Sequence, residues 1–451
     1  MTNPIALLPT NIPASAQALH DLQQNFVISY IGGQIRILNR NTISKLLAGK
    51  KNVPIEFIQK RDSELMMRRH IEASSIAAEK PREIINDFFI CPKTHVYEYL
   101  NFHPNKQSNE VLNLWIPPTI KPVTGNWAII KDFIFDVICS GDKSLYNYIV
   151  KYLAHAIQCP EEKPGVMLVL IGDEGIGKGF FIRLLETIWS HTTLQVSDID
   201  DVVGSFNKCL GTAFWVALDE ALFKGDKKSQ DRMKSLVTEP KIQICEKYEP
   251  RRTIDSFHRF IACTNHDQWG QIRSDDRRYL FVRVSNCQKQ NQAYFSQLHS
   301  ALNDGISVPA FAHYLYNLDI TDFNPREKPK TNESFEQRRQ SLSGFSRYWF
   351  EVLDQEDFKL GKQEFIPSLV YDDEVFITTN DLLQYYRGYD PISERFESLQ
   401  ASSIKKKINE ICPSANTEKR EDNKRGIGFP DIGTARDEFD KWIGYKVPWS
   451  T

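Results

Sequence analysis

The sequence lacks several features that would define simple classes of protein. It has no C-x-x-C pair and no cluster of histidines, although it contains eight cysteines scattered from Cys91 to Cys412. We therefore expect free thiols in a reducing compartment rather than a zinc site or a disulfide framework. It also lacks any run of about 18 apolar residues, and its N-terminus has no basic segment followed by an apolar one. We expect neither a membrane span nor an export signal.

Neither sign of charge dominates the chain. Its 451 residues carry a formal net charge of -2, with 41% hydrophobic and 25% charged residues. This composition is typical of a globular protein of roughly two to four domains, in which nucleic-acid contacts would come from local basic patches. We found no internal repeat. We divide the chain into an α+β accessory domain (1–125), a helical lead-in (126–163), a core (164–323), a polar linker (324–334) and a C-terminal domain (335–451).

Local patterns predict several elements before the core. The segment FVISYIGGQIRIL indicates a β-hairpin that turns at Gly32 and Gly33. Apolar spacing predicts further elements, which are a helix at 64–71, a strand within 109–118, and helices at 127–139 and 144–158.

The most informative segment is GDEGIGKG, which follows an apolar run that ends at Ile171. The run predicts a strand and the residues after the segment have helical spacing, which is the context of a phosphate-binding loop of the G-x-x-x-x-G-K type. Its glycines would let backbone N–H groups surround a polyphosphate, and the helix N-terminus would add partial positive charge. The alternative is a glycine-rich turn without a ligand. The residues assigned to nucleotide binding are Gly172, Asp173, Glu174, Gly175, Ile176, Gly177, Lys178, Gly179 and Phe180.

The metal must be held in an unusual way. Lys178 would contact the β- and γ-phosphates, but Gly179 stands where Ser or Thr usually ligates Mg²⁺. The apolar segment AFWVALDE predicts a buried strand that ends in Asp219 and Glu220. Asp219 would hold Mg²⁺, directly or through water, and Glu220 would orient and deprotonate the attacking water. The alternative is a strand whose terminal acid caps a helix.

Two later segments place polar groups beside apolar strands. FIACTN ends in Asn265, which would sense the γ-phosphate or help to place the water, although Asn is also a common turn residue. SDDRRYLFVRV puts Arg277 and Arg278 before a strand, where an arginine could stabilise phosphoryl transfer in a neighbouring subunit. The alternative is an exposed basic pair.

A basic hairpin is predicted between the acidic pair and Asn265. Residues 242–248 alternate like a strand, and a polar segment that contains proline follows. We expect Lys247, Arg251 and Arg252 at the tip, where they would grip a DNA backbone. A solvated turn is the alternative.

The order of these motifs resembles superfamily 3 helicases, in particular the helicase part of phage and plasmid primase-helicases of the poxvirus-primase type. The lead-in segments LNLWIPP and KYLAHAIQCPEEKPGVMLVLIG are also similar to that family, and the resemblance covers roughly 111–284. It implies an AAA+-like P-loop ATPase core with a parallel sheet, assembled into a hexameric ring that moves along DNA with ATP and Mg²⁺. The roles carried over are Lys178 for phosphate, Asp219 for Mg²⁺, Glu220 for water, Asn265 as sensor, and Arg277 or Arg278 as a finger in trans. Of the two arginines we favour Arg278, which is next to the strand.

The resemblance makes an ATP-dependent DNA helicase in the replication of a phage, plasmid or other mobile element our leading hypothesis. Its partner would be single-stranded or forked DNA in a bacterial cytoplasm, with a primase or polymerase acting in trans. We expect no primer synthesis by this chain, because no paired-acid signature for two-metal nucleotidyl transfer is evident. Two alternatives stay open, which are a DNA-binding loader or switch with slow ATP hydrolysis, and a ring ATPase that acts on protein.

The C-terminal domain has the pattern helix, helix, basic hairpin, helix, which predicts a winged-helix-like fold. Its cations would meet DNA phosphates, but Glu418, Glu421 and Asp422 dilute the charge, so a solvated surface is the alternative. These cations are Lys405, Lys406, Lys407, Lys419, Arg420, Lys424 and Arg425.

Overall fold

The structure is a computed structural model. It describes residues 13–48, 55–74, 76, 79–105, 108–219, 227–247, 251–267, 269, 276–360, 368–389 and 401–450. The described residues form two compact units. The first extends to Lys328 but omits the segment His266–Val282, and the second contains that segment and the chain from Pro329 onward.

A four-stranded sheet and its helices begin the first unit. The strands are β1 (Phe26–Ile31), β2 (Gln34–Asn39), β3 (Ile58–Gln59) and β4 (Val96–Tyr97), in the order β3-β2-β1-β4. The helices are α1 (Ala14–Asn25), α2 (Arg40–Leu47), α3 (Lys60–Ala73) and α4 (Pro81–Ile90). The predicted hairpin is confirmed, since β1 and β2 pair antiparallel around Gly32 and Gly33, whose φ angles are 56° and 78°. The helix predicted at 64–71 lies within α3. Apolar side chains of α1, α3 and α4 pack against the sheet.

The elements predicted ahead of the core are also confirmed. Two short parallel strands come first, β5 (Tyr99–Asn101) and β6 (Val111–Asn113). Helix α5 (Ala128–Asp132) continues into a π-helical segment, Phe133–Ile138, and α6 (Lys143–Gln158) follows. The Asp142 carboxylate caps α6, because it accepts hydrogen bonds from the N–H groups of Ser144 and Leu145 at 2.8 and 3.0 Å.

A parallel sheet forms the core of the first unit, as the sequence predicts. The strands that follow are β7 (Met167–Ile171), β8 (Thr193–Val196), β9 (Trp215–Asp219), β10 (Lys241–Ile244), β11 (Arg252–Asp255) and β12 (Arg259–Thr264). The next strand, β13 (Tyr279–Arg283), belongs to the second unit except for Arg283. Within the first unit, four neighbouring strands of this sheet follow the order β7-β12-β9-β8, all parallel, and β10 and β11 form a separate antiparallel hairpin. Every residue of β7 and β12 is buried, as in parallel sheets covered on both faces.

Helices and short turns complete the first unit. They are α7 (Lys178–Ile188), α8 (Asp200–Val203), a 3₁₀ turn (Lys208–Thr212), α9 (Lys227–Thr238), α10 (Gln292–Asn303) and α11 (Ser307–Asn317). The strand order determines which residues meet at the carboxyl edge of the core sheet. Thr264 lies opposite Ile171, and Cys263 lies opposite Asp219, so the carboxyl ends of β7, β12 and β9 adjoin. Ligands of open α/β sheets bind at this edge.

The second unit is a smaller α+β body with an aromatic core. Its helices are α12 (Asn332–Gln340), α13 (Gly344–Gln355), α14 (Thr379–Tyr389), α15 (Ala401–Ile411) and α16 (Ile432–Ile443). Its strands are β14 (Val375–Thr378), β15 (Arg420–Glu421) and β16 (Lys424–Phe429), in the order β14-β16-β15. Trp349, Phe358, Tyr371 and Phe429 are buried together. The predicted helices and basic hairpin are present, and α12 begins within the predicted linker, 324–334.

All eight cysteines are free thiols. Among the described helices, none has both the length and the apolar character that crossing a lipid bilayer requires.

Candidate nucleotide site at the edge of the parallel sheet

The glycine-rich loop joins β7 to α7 and has a conformation that only glycine adopts readily. Gly175 and Gly177 have φ angles of 72° and 111°. A Cβ atom on Gly177 would lie 2.9 Å from Phe133 and 3.2 Å from Phe295, so the backbone approaches both rings closely. Gly177 also offers no side-chain cap to α7, which leaves the first backbone N–H groups of that helix open to a ligand. Loop and helix thus present N–H donors to an anion.

Lys178 is the first residue of α7 and points into the loop. Its ammonium group donates to the carbonyl oxygen of Asp173 at 2.6 Å, to that of Gly172, and to Oδ1 of Asn265 at 2.7 Å. The residue is only 8% exposed. Burial lowers the pKa of Lys178, against the opposing effect of nearby acidic groups that include Asp173 and Asp219. In this position the ammonium is held by neutral oxygens that a phosphate could replace.

Asn265 and Asp219 complete the polar side of the site. Asn265 follows β12, and its Nδ2 donates to Oε1 of Glu174 at 3.3 Å while its Oδ1 accepts from Lys178. Asp219 ends β9, and its Oδ2 accepts from Nε2 of Gln195 at 3.0 Å. The loop, Lys178, Asp219 and Asn265 are therefore brought together. Glu220, the residue assigned to water activation, lies outside the described residues.

A segment after β13 donates hydrogen bonds to the glycine-rich loop. Lys289 and Asn286 donate to Oδ2 of Asp173 at 2.6 and 3.2 Å, and the hydrogen bond from Lys289 is the main reason that the pKa of Asp173 is lowered. The backbone N–H of Gln290 reaches the Gly175 carbonyl at 3.4 Å. Lys289 thus offsets the negative charge that Asp173 would bring to a phosphate.

The loop opens into a cavity of about 330 Å³. Its lining residues are Glu174, Gly175, Gly177, Lys178, Gly179, Phe180, Arg183, Asp219, Cys263, Asn265, Phe295 and His299. Sequence analysis missed Arg183, Cys263, Phe295 and His299. The four-residue spacing of Phe295 and His299 was the only signal for that pair, and it is typical of any amphipathic helix. Burial raises the pKa of Cys263 to about 12, so its thiol stays neutral at neutral pH.

The cavity has oxygen atoms that can ligate Mg²⁺ and enough space for the ion and its water. Asp219 and Glu174 offer carboxylates, and Asn265 offers an amide oxygen. A Cβ atom at Gly179 would meet nothing within 4 Å, so there is room for water where a serine or threonine hydroxyl would otherwise lie. These residues fit a hydrated Mg²⁺ bound beside a triphosphate.

A second cluster of potential metal ligands, His155, Cys159 and Glu162, does not fit a cation. The Arg259 guanidinium donates to Nδ1 of His155 at 3.1 Å, and Nε2 of the same ring lies 3.3 Å from Glu162. Because Nδ1 accepts a hydrogen bond, Nε2 carries the proton of the neutral ring and has no lone pair for a metal. Burial, with the charge of Arg259 next in importance, lowers the pKa of His155.

Arg277 and Arg278 belong to the second unit, whereas the loop belongs to the first. Arg277 is exposed. Arg278 is half-buried, its backbone N–H donates to the buried Asp276 carboxylate at 3.0 Å, and its guanidinium lies 3.7 Å from the same carboxylate. The choice between the two as a finger stays a prediction.

The basic hairpin between β9 and β12 exists, but one of its cations is misplaced by sequence reasoning. Lys247 follows β10 and Arg251 precedes β11, and both are exposed, while residues 248–250 lie outside the described part. Arg252 lies within β11 opposite Ile244, so its placement at the tip is wrong. Burial lowers its pKa, and its guanidinium approaches Gly211. The reason is that the second strand begins earlier than its polar residues indicate.

Comparison with known proteins gives similarities in sequence and in structure. A model of a family of unknown function, DUF5906, matches residues 170–278, which include the loop, Asp219 and Asn265. The DNA primase-polymerase of Nitratiruptor phage NrS-1 is 24% identical over 254 residues, which make up 54% of this chain and 34% of that protein. The match thus spans about a third of the length of the phage protein.

The same phage protein supplies the structural likeness. The apo structure of the NrS-1 C-terminal region covers 93% of this chain and all of that one, with a TM-score of 0.63 and 16% identity. An A-form apo structure of the region gives a TM-score of 0.59 at 17% identity. The chain is homologous to the NrS-1 primase-polymerase and shares the mixed α/β fold, with its parallel sheet, of that C-terminal region.

Proposed function

We propose that this chain is an ATP-dependent DNA helicase of the superfamily 3 type that acts in phage replication. The observation that carries the proposal is the convergence of Lys178, Asp219 and Asn265 on one cavity at the carboxyl edge of a parallel sheet. Homology to a phage protein named a DNA primase-polymerase supports a role in DNA replication. The chain matches only part of that protein, and we expect no template-dependent primer synthesis from it.

In this proposal the triphosphate displaces the present partners of Lys178. The ammonium exchanges the carbonyl oxygens of Gly172 and Asp173 for β- and γ-phosphate oxygens, and the N–H groups of the loop bind the same phosphates. Asp219 would hold Mg²⁺ with water beside Gly179, and the ion would neutralise charge on the phosphates. Asn265, already bonded to Lys178, would report the presence of the γ-phosphate, and Glu220 would take a proton from water.

Two hairpins supply DNA contacts in this proposal. Lys247 and Arg251 flank the tip of β10–β11. In the second unit, the winged-helix-like part would use β15–β16, where Arg420 pairs directly opposite Arg425. Like charges directly opposite each other destabilise a two-strand ladder, and a phosphate backbone would relieve that repulsion.

A second candidate function is a loader or switch that binds ATP and DNA but hydrolyses slowly. Gly179 favours it, because the position lacks the hydroxyl that usually fixes Mg²⁺. Stimulation of hydrolysis by forked DNA, together with strand separation, would support the helicase. Tight ATP binding without turnover would support the switch.

Substitution of Lys178 tests the site itself. We expect Lys178→Ala to lower DNA-stimulated ATP hydrolysis by about 10²–10³-fold, because it removes a charge that stabilises the transferring phosphoryl group. The matched control is Lys131→Ala, which removes the same charge from the exposed surface of α5 and should leave turnover unchanged. Phosphate release by purified protein with forked DNA measures both. Equal turnover in the two variants would remove the loop from the mechanism.

A further inference from the structure

Part of the cavity lining has no role in the proposed phosphate chemistry. The proposed phosphate contacts come from the loop, Lys178, Asp219 and Asn265. The same cavity is also lined by Phe180 and Arg183 of α7, and by Phe295 and His299 of α10. A ligand that consisted only of phosphate would gain little from these aromatic faces.

The aromatic side chains that line this part of the cavity pack against one another. Phe180 meets Phe133 edge-to-face with ring centroids 4.9 Å apart, and meets His299 in the same way at 5.4 Å. Phe295 and His299 are four residues apart on α10, so both side chains lie on one face of the helix. Phe295 is also the ring that a Cβ atom on Gly177 would approach to 3.2 Å.

The helix that carries this surface is tied to the loop. Lys289 pairs with Asp173 at 2.6 Å, and the N–H of Gln290 reaches Gly175 at 3.4 Å. Asn291 then caps α10 by accepting a hydrogen bond from Tyr294 at 3.1 Å. A ligand whose phosphates are fixed by the loop would therefore meet Phe295 and His299 in a constant position.

We propose that Phe295 and His299 form the wall against which the base of the bound nucleotide lies, with Arg183 at the ribose or α-phosphate. The inference rests on the proposed nucleotide function and adds the residues that recognise the nucleoside. Phosphates at the start of α7 leave the rest of the cavity as the space for the base. An aromatic ring beside a histidine gives that base a stacking surface and one hydrogen-bonding group, as in most nucleotide-sized pockets.

Isothermal titration calorimetry with ATP and with inorganic tripolyphosphate, each with Mg²⁺, distinguishes binding of the base by Phe295 and His299 from binding of the phosphates by the loop. We expect Phe295→Ala to weaken ATP binding about tenfold or more and to change tripolyphosphate binding less than about twofold. Phe295→Leu, which keeps apolar packing but not stacking, should give the same pattern. Gln297→Ala, on an exposed part of α10, is the control and should bind both like the unaltered protein.

Each other result overturns the inference. Equal losses for ATP and tripolyphosphate would mean that Phe295 only supports the loop, and no loss for either would mean that the base lies elsewhere. In both cases the unaltered protein still binds both ligands and the proposed function survives. Failure of the unaltered protein to bind either ligand would overturn the nucleotide function as well.

Discussion

At the scale of single residues, a buried chain of hydrogen bonds lies at the amino end of β12. Lys163 donates to the Ser256 hydroxyl, which lies 2.9 Å from Nδ1 of His258, and Nε2 of His258 donates to the Leu210 carbonyl at 2.9 Å. Because Nε2 donates to this carbonyl and burial keeps the ring neutral, Nδ1 accepts a hydrogen bond from the Ser256 hydroxyl. Burial, with the charge of Lys163 second, lowers the pKa of His258 to about 3.

This histidine predicts a loss of stability in acid. Its pKa in the folded protein, about 3, lies below the ordinary value of 6.5, so protonation favours the unfolded chain. The contribution is intact above pH 6.5 and is lost as the pH falls toward 3, at about 1.4 kcal/mol per pH unit. Urea unfolding followed across this interval measures it.

The control for this prediction is His258→Gln, whose amide can still donate to Leu210 but does not titrate. We expect it to be less stable near neutral pH, by about 1–3 kcal/mol because the Ser256 hydroxyl loses its partner at Nδ1, and to lose stability less steeply in acid. Identical pH slopes for the two proteins would contradict the assignment of this acid sensitivity to His258.

At the scale of elements, the β10–β11 hairpin separates exposed from buried cations. Lys247 and Arg251 lie at its open end, whereas Arg252 is half-buried within β11. We expect Lys247→Glu/Arg251→Glu to weaken DNA binding. The slope of the logarithm of the binding constant against the logarithm of the salt concentration should become shallower, as expected for the loss of about two phosphate contacts. Fluorescence anisotropy with single-stranded DNA at several salt concentrations measures both quantities.

The matched control for the hairpin changes the same charge elsewhere in the first unit. Lys45→Glu/Lys131→Glu alters two exposed helical cations and should have a smaller effect on affinity. If both double variants bind alike at low salt, the hairpin is not the main DNA contact of the protein. Arg252→Glu is not suited to this test, because it would bury an acid and disturb the fold.

At the scale of the whole molecule, the proposed ring requires that subunits share an active site. Arg278→Ala should bind ATP but not hydrolyse it, because in this proposal the arginine would act on the triphosphate of a neighbouring subunit. Glu220→Gln should be inactive because it lacks the base. Mixing the two inactive proteins should restore part of the turnover, since some interfaces then join an intact arginine to an intact glutamate.

Phosphate release from the mixture, compared with each variant alone, measures this complementation. The same mixture made with Arg277→Ala identifies which arginine acts in trans. If neither mixture recovers activity above its components, hydrolysis does not depend on an arginine from a second subunit.

Much of the site could be predicted because its parts are local. The loop and the start of α7 are contiguous, and their glycines, lysine and flanking apolar runs indicate strand, loop and helix within about twenty residues. Asp219 and Asn265 could each be predicted because a polar residue follows an apolar run. The hairpin of β1 and β2 was equally clear, since two glycines sit between alternating strands.

The start of the glycine-rich loop, the burial of the core strands and the polar residues that end them could all be predicted from the sequence, because each depends on neighbours along the chain. The position of β12 between β7 and β9 depends on the fold, and it brings Oδ1 of Asn265 to 2.7 Å from Nζ of Lys178. The fold also determines that Phe295 and His299 line the same cavity as Gly177. These contacts join residues about a hundred positions apart, and their geometry follows from strand order and helix packing, which no local pattern of residues encodes.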